Sequence, residues 1–138
     1  MFAFERRWAA AILGGFAPSA GPGLAPAEGE VDWARGVRRF LARASAKGRL
    51  GVRVGLLLVV TAPIWGRGRL RSAVHLPPDE RAALLEELLA HRFFVVRELC
   101  LLLKLVACMT LFTAPGMRER VAYDPPAERR LPVVREVA

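Results

Sequence analysis

Cysteines, histidines, serines and paired carboxylates are the side chains of this sequence whose types could do chemistry, and their spacing gives each a plainer role. Cys100 and Cys108 stand eight residues apart in a segment with helical apolar spacing. That spacing separates them by about 12 Å along a helix axis and rules out a disulfide within it. No CxxC pair accompanies them, and His75 and His91 are the only histidines, so a metal cluster has too few ligands. Both thiols read as buried structural cysteines. Asp79-Glu80 and Glu86-Glu87 fall on helical surfaces, where a carboxylate pair is ordinarily solvated. Ser19, Ser45 and Ser72 lie in loops or at helix ends and are expected to have no histidine partner. The glycine pairs Gly21/Gly23 and Gly66/Gly68 lack the third glycine of a dinucleotide fingerprint, and no phosphate-binding loop, GxSxG elbow or HExxH occurs. The sequence therefore predicts no catalytic, cofactor-binding or metal-binding residue on this chain.

Function must then rest on binding, and composition narrows the partner. At 138 residues, 54% hydrophobic and 25% charged, the chain has the size and make-up of one folded domain. Its apolar share exceeds the usual figure of roughly 45–50%, and the excess must go to a large core, a membrane or a partner surface. The net charge is +8, and every cation except Lys47 and Lys104 is arginine. Those arginines are scattered from Arg6 to Arg135 and do not alternate with aromatics as in a base-stacking groove, which argues against nucleic acid. Arginine also suits protein interfaces, where its planar fork pairs with carboxylates. A basic, peripheral membrane-associated helical protein is one alternative, and a nucleic-acid-binding helical protein another.

The elements that must position any binding surface read as all-α: a compact bundle of about five helices spanning 1–126, followed by a tail over 127–138. The segment 1–17 forms a first helix. Its charged start and apolar run also resemble a signal peptide, with cleavage after about residue 27. The expected location is accordingly the cytoplasm or the membrane periphery, with export as the alternative. Residues 18–30 are a Pro/Gly/Ala loop. Asp32 offers an N-cap to a helix running to about Ala46, with Trp33, Val37, Phe40, Leu41 and Ala44 on one face and Arg35, Arg38, Arg39 and Arg43 on the other. Gly48 separates it from a third helix, Arg49 to about Ala62, which Pro63 should end. Leu56 to Val60 is apolar all round, predicting full burial in a run too short to span a bilayer. Residues 64–72 read as a loop. Leu76-Pro77-Pro78-Asp79-Glu80 starts a helix whose core stripe is Leu84, Leu85, Leu88 and Leu89.

The longest helix is expected over about 92–113, apolar and central, stopped by Ala114-Pro115-Gly116. Arg97, Glu98 and Lys104 argue against its crossing a membrane. Arg97 and Lys104, seven apart, share one face. They need anionic partners or an exit to water. Glu86, Glu87, Glu98 and Asp124 are the internal candidates, and an acidic group on another protein is the external one.

The order of these features carries a resemblance. Leu-Pro-Pro-Asp-Glu-Arg (76–81), a leucine-rich helix, Arg97 seven residues before Lys104, Phe112 at the helix end, a proline turn and Val121-Ala122-Tyr123-Asp124-Pro125-Pro126 follow one another. This pattern resembles the small helical subunit, or N-terminal helical domain, of glucose–methanol–choline (GMC) type flavin-dependent oxidoreductases. The gluconate dehydrogenase small subunit and the leading segment of long-chain alcohol oxidases are similar. The likeness extends over about residues 2–126, with departures at His91-Arg92 and Leu111-Phe112. It implies a non-catalytic accessory subunit that binds and stabilises a large FAD-binding partner, which would hold the flavin and act on an alcohol, sugar or sterol-like substrate. It also implies that Arg97, Lys104, Phe112, Tyr123 and Asp124 contribute to the partner interface.

Overall fold

The computed structural model describes residues 3–18, 25–27, 29–67 and 71–121. Among them are six helices and no strand: α1 (Ala3–Gly14), α2 (Trp33–Arg43), α3 (Ala46–Arg67), α4 (Pro78–Leu89), α5 (Phe94–Thr113) and α6 (Pro115–Arg120), with a single 3-10 turn at Ala73–His75 before α4. The all-α bundle read from the sequence is what the chain forms, and α5 is central to it, packing against each of the other long helices and α6.

The helix starts follow from local chemistry. The Asp32 carboxylate accepts the Arg35 N–H at 2.8 Å and caps α2. Pro78 opens α4, with Asp79 and Glu80 in its first turn. Two boundaries differ from expectation. Gly48 does not separate α2 from α3; the chain breaks at Ala44, which is extended, and Ser45 Oγ accepts the Gly48 N–H at 3.2 Å inside the first turn of α3. Pro63 does not end α3, which continues to Arg67 and, at 22 residues, exceeds the 20 of α5. A proline removes one helical hydrogen bond. The burial of Val52, Leu56, Val59, Val60, Ala62 and Pro63 along the same helix outweighs that loss. A further short helix, α6, forms where only a proline stop was expected.

The main core cluster is built from Ala9, Ile12 and Leu13 of α1, Val37 of α2, the inner face of α3, Leu84, Leu85 and Leu88 of α4, and Cys100, Leu103, Val106 and Ala107 of α5, and a second, smaller cluster gathers Val31, Leu111, Ala114 and Met117. Small residues let α5 sit close to its neighbours. A Cβ on Gly36 of α2 would overlap the Thr110 side chain, and Gly51 and Gly55 of α3 face Leu102, Leu103 and the Leu99 carbonyl. Gly51 faces Leu102 midway along α5, whereas Trp65 near the end of α3 meets His91 just before α5 begins, so α3 and α5 are antiparallel neighbours.

Arg81 ties these layers together. Its guanidinium donates to the carbonyls of Ala73 (3.2 Å), Ala11 (3.1 Å), Val74 (3.2 Å) and Leu76 (2.7 Å). Near the end of α1 the Gly15 N–H turns to the Ile12 carbonyl, and Arg81 takes up the Ala11 carbonyl that the helix leaves over. Burial pushes its pKa down from the ordinary arginine value, yet the group stays charged and fully hydrogen-bonded. Arg81→Ala is expected to lower unfolding free energy by about 2–3 kcal/mol. Arg81→Lys should recover little of it, since an ammonium cannot fork to four carbonyls. Urea denaturation of the two variants tests this, and equal stability to the unsubstituted chain would refute it.

Candidate functional site

The polar groups that might have formed a reactive centre are occupied locally. Ser72 Oγ and His75 Nδ1 lie 3.0 Å apart within the turn before α4, a serine–histidine contact the sequence reading did not anticipate. It is exposed, spans three residues, and serves to close that turn. His91 Nδ1 accepts the Phe93 N–H at 3.2 Å and shapes the entry to α5. Among the described residues no group of three or more His, Cys, Asp or Glu side chains is gathered where it could hold a metal ion. The two thiols diverge: Cys100 is buried, as expected, while Cys108 is exposed on the outer side of α5. Burial pushes the Cys100 thiol up to about 11, with Lys104 opposing the shift weakly, and its S–H points at the Leu85 carbonyl at 3.7 Å.

The surface that stands out is the outer face of α5. Leu101, Leu105, Met109 and Phe112 recur at helical spacing and are 46%, 52%, 54% and 50% exposed. Phe94 continues the stripe at the amino-terminal end. Arg97 and Lys104 flank it on one side, both exposed. They reach water rather than a buried carboxylate, and the Arg97 guanidinium lies 5.5 Å from the Phe94 ring centroid. The structure thus brings Arg97, Lys104 and Phe112 onto one side of one helix. Tyr123 and Asp124 lie outside the described residues. Comparison with protein-family models, curated proteins and solved structures finds no match to this chain.

The sequence reading missed Leu101, Leu105 and Met109 as surface residues. α5 is apolar around most of its circumference, so periodicity alone does not reveal which side faces in. A second outward stripe was missed for the same reason: Leu50, Val54, Leu57, Ile64 and Trp65 on α3 are all exposed. Leu57 corrects the expectation that the whole run 56–60 is buried. By helical geometry both stripes open on the same side of the α3–α5 pair, with half-buried Leu58 and Leu102 along the seam.

The carboxy-terminal end of α5 is held by a charged clasp. Arg120 of α6 pairs with both carboxylate oxygens of Glu30 and donates to the Ala25 carbonyl at 3.0 Å. Glu30 also accepts the Ala27 N–H at 2.7 Å, and Gly116, lacking a Cβ, leaves room for it. The Arg120 hydrogen bond, reinforced by the Ala27 N–H, holds the Glu30 carboxyl below its ordinary value of 4.5. A depressed folded-state pKa means the clasp stabilises the fold above that ordinary value and is lost as pH falls through the lower folded one.

Two outcomes follow from these groups. As pH falls below the ordinary carboxylate range, amide protection, corrected for the intrinsic exchange rate, should drop around residues 29–31 and α6, and Glu30→Gln should show the lowered protection already at neutral pH; protection that does not change with pH would contradict the clasp. A thiol reagent applied to the native chain should modify Cys108 promptly and Cys100 only on unfolding. Equal labelling of the two would contradict the burial of Cys100.

Proposed function

We propose that this chain is a non-catalytic accessory subunit that packs the outer face of α5 against a larger protein, and that the partner is an FAD-dependent oxidoreductase of the GMC type. The observation that carries the interface is the outward stripe from Phe94 through Leu101, Leu105 and Met109 to Phe112. Solvent-facing apolar residues at core spacing along one helix are what an unfilled helix–helix interface presents. Fully burying each such side chain contributes about 1.5–3 kcal/mol, of which affinity keeps the part left after ordering costs. Arg97 and Lys104 form a charged border suited to carboxylates on the partner.

The identity of the partner is supported by the resemblance in residues 76–126. Its Leu-Pro-Pro-Asp-Glu start coincides with the entry to α4, and its Arg97, Lys104 and Phe112 coincide with the exposed side of α5. In this reading the flavin, the catalytic groups and the alcohol, sugar or sterol-like substrate belong to the large subunit. The role of the present chain is to bind the folded partner and so raise its stability by mass action.

Co-expression with a GMC-type flavoenzyme from the same genome should yield a complex in equal proportion, with the flavin absorbance following the large chain. Leu105→Glu with Phe112→Glu should abolish co-purification while leaving the helical circular dichroism of the small chain unchanged, because both side chains already face water. A monomer that ignores the flavoenzyme, or one that binds FAD by itself, would overturn the proposal.

A further inference from the structure

The outer stripe of α3 differs from that of α5 in its polar company. Between Ala46 and Arg67 the sequence holds Lys47, Arg49, Arg53 and Arg67 and no Asp or Glu, whereas the α5 face includes Glu98. Lys47, Arg49 and Arg53 fall in the amino-terminal part of α3, where Leu50 and Val54 also face outward, and Leu57, Ile64 and Trp65 continue the exposed stripe toward its other end. Beyond Arg53 the polar side chain along that stripe is Thr61, which donates its hydroxyl to the Leu57 and Leu58 carbonyls at 2.9 and 3.2 Å, so it presents no unspent donor. At the carboxy-terminal end aromatic groups gather: Trp65 meets His91 edge to face at 6.0 Å between centroids, His91 lies 5.3 Å from Phe93, and the Arg92 guanidinium sits 4.7 Å from the Phe93 ring. Phe93 and Phe94 are more than half exposed.

An apolar stripe with cations toward one end and exposed Trp and Phe at the other is the pattern of a helix that lies in the boundary between lipid headgroups and acyl chains. By length and composition Ala46–Trp65 could also cross a membrane, with mean hydropathy 1.4, but 39% of that window is buried inside the bundle. Val52, Leu56, Val59 and Val60 on its inner side are committed to α1 and α5, which leaves one side to meet lipid. The carboxylates bordering the surface are Glu5, which sits 3.5 Å from Arg53, and Glu98. The net charge of +8 favours approach to an anionic leaflet. We infer that the outer stripe of α3, with the Trp65–Phe93 tip, seats this protein on the surface of anionic bilayers without spanning them.

The experiment is flotation of the full chain with vesicles of phosphatidylcholine, with and without phosphatidylglycerol. The expected result is binding to the anionic vesicles, release by alkaline carbonate, and weakening as salt rises. With Trp8→Phe and Trp33→Phe in place, the fluorescence of Trp65 should shift to the blue on binding. Leu57→Glu with Trp65→Ala, both at exposed positions, should lower partitioning roughly ten-fold or more. Phe112→Glu, at the end of α5 far from the Trp65–Phe93 tip, should lower it less than that pair does, which separates this surface from the flavoenzyme face. Failure to float with anionic vesicles would overturn the inference. So would retention after carbonate extraction, which means insertion, or self-association abolished by Leu57→Glu without vesicle binding, which means a second copy of the chain covers the stripe.

Discussion

The bundle depends on how it satisfies one half-buried positive charge that has no carboxylate beside it. Arg81 is surrounded by the end of α1, the turn at Ala73–His75 and the approach to α4, and each of these turns carbonyls toward it. A guanidinium is the side chain that can serve four such acceptors from one rigid plane. Its charge also favours the negative end of the α1 dipole. The turn at Ala73–His75 can therefore pack against α1 without leaving its buried polar atoms unpaired. Among the described residues no buried side-chain nitrogen or oxygen lacks a hydrogen-bond partner. With α1 and α4 fixed in this way, the inner faces of α3 and α5 have a floor to pack on.

That floor covers one side of each long helix only. A bundle of this size offers limited interior, and the sequence carries more apolar residues than the interior takes up. The surplus is not spread over the surface. It is concentrated on the two longest helices, in stripes that open on the same side. The close approach permitted by Gly51 and Gly55 keeps the seam between those stripes filled by Leu58 and Leu102, so the outward face is continuous across the pair. The arginine side of α2, by contrast, is what a solvated face looks like, with Arg35, Arg38, Arg39 and Arg43 exposed opposite buried Val37.

Features fixed by a few neighbouring residues were legible in the sequence. The Asp32 cap, the Pro-Pro-Asp-Glu entry to α4, the helical class and the limits of α5 within two residues all depend on short-range rules. Features decided by tertiary packing were not. Pro63 signals a stop, but the burial around it carries α3 onward. Gly48 looks like a breaker, yet the hydroxyl of Ser45 makes it part of a first turn. Nothing in a uniformly apolar run such as Leu101-Leu102-Leu103 says that the first faces water and the third the core, because that choice is made by Gly36, Gly51 and Gly55 on other helices. Of the candidate site, the shared side of Arg97 and Lys104 was readable from a seven-residue interval. The apolar stripe beside them was not.

The two polar ties described above also set a timetable for the chain's birth. Arg81 reaches back 70 positions to the Ala11 carbonyl, and Arg120 reaches back 90 to Glu30. At a synthesis rate of roughly 5–20 residues per second, the first tie is out of reach for about 4–14 seconds after Ala11 is made, and the second for somewhat longer. Through that interval the inner side of α3 is translated without the helix that chiefly covers it, since its main neighbour, α5, comes late. Contacts of such long sequence separation close slowly for entropic reasons as well. A nascent chain of this design is exposed to aggregation until its last third emerges from the ribosome, which makes early capture by a chaperone valuable to it.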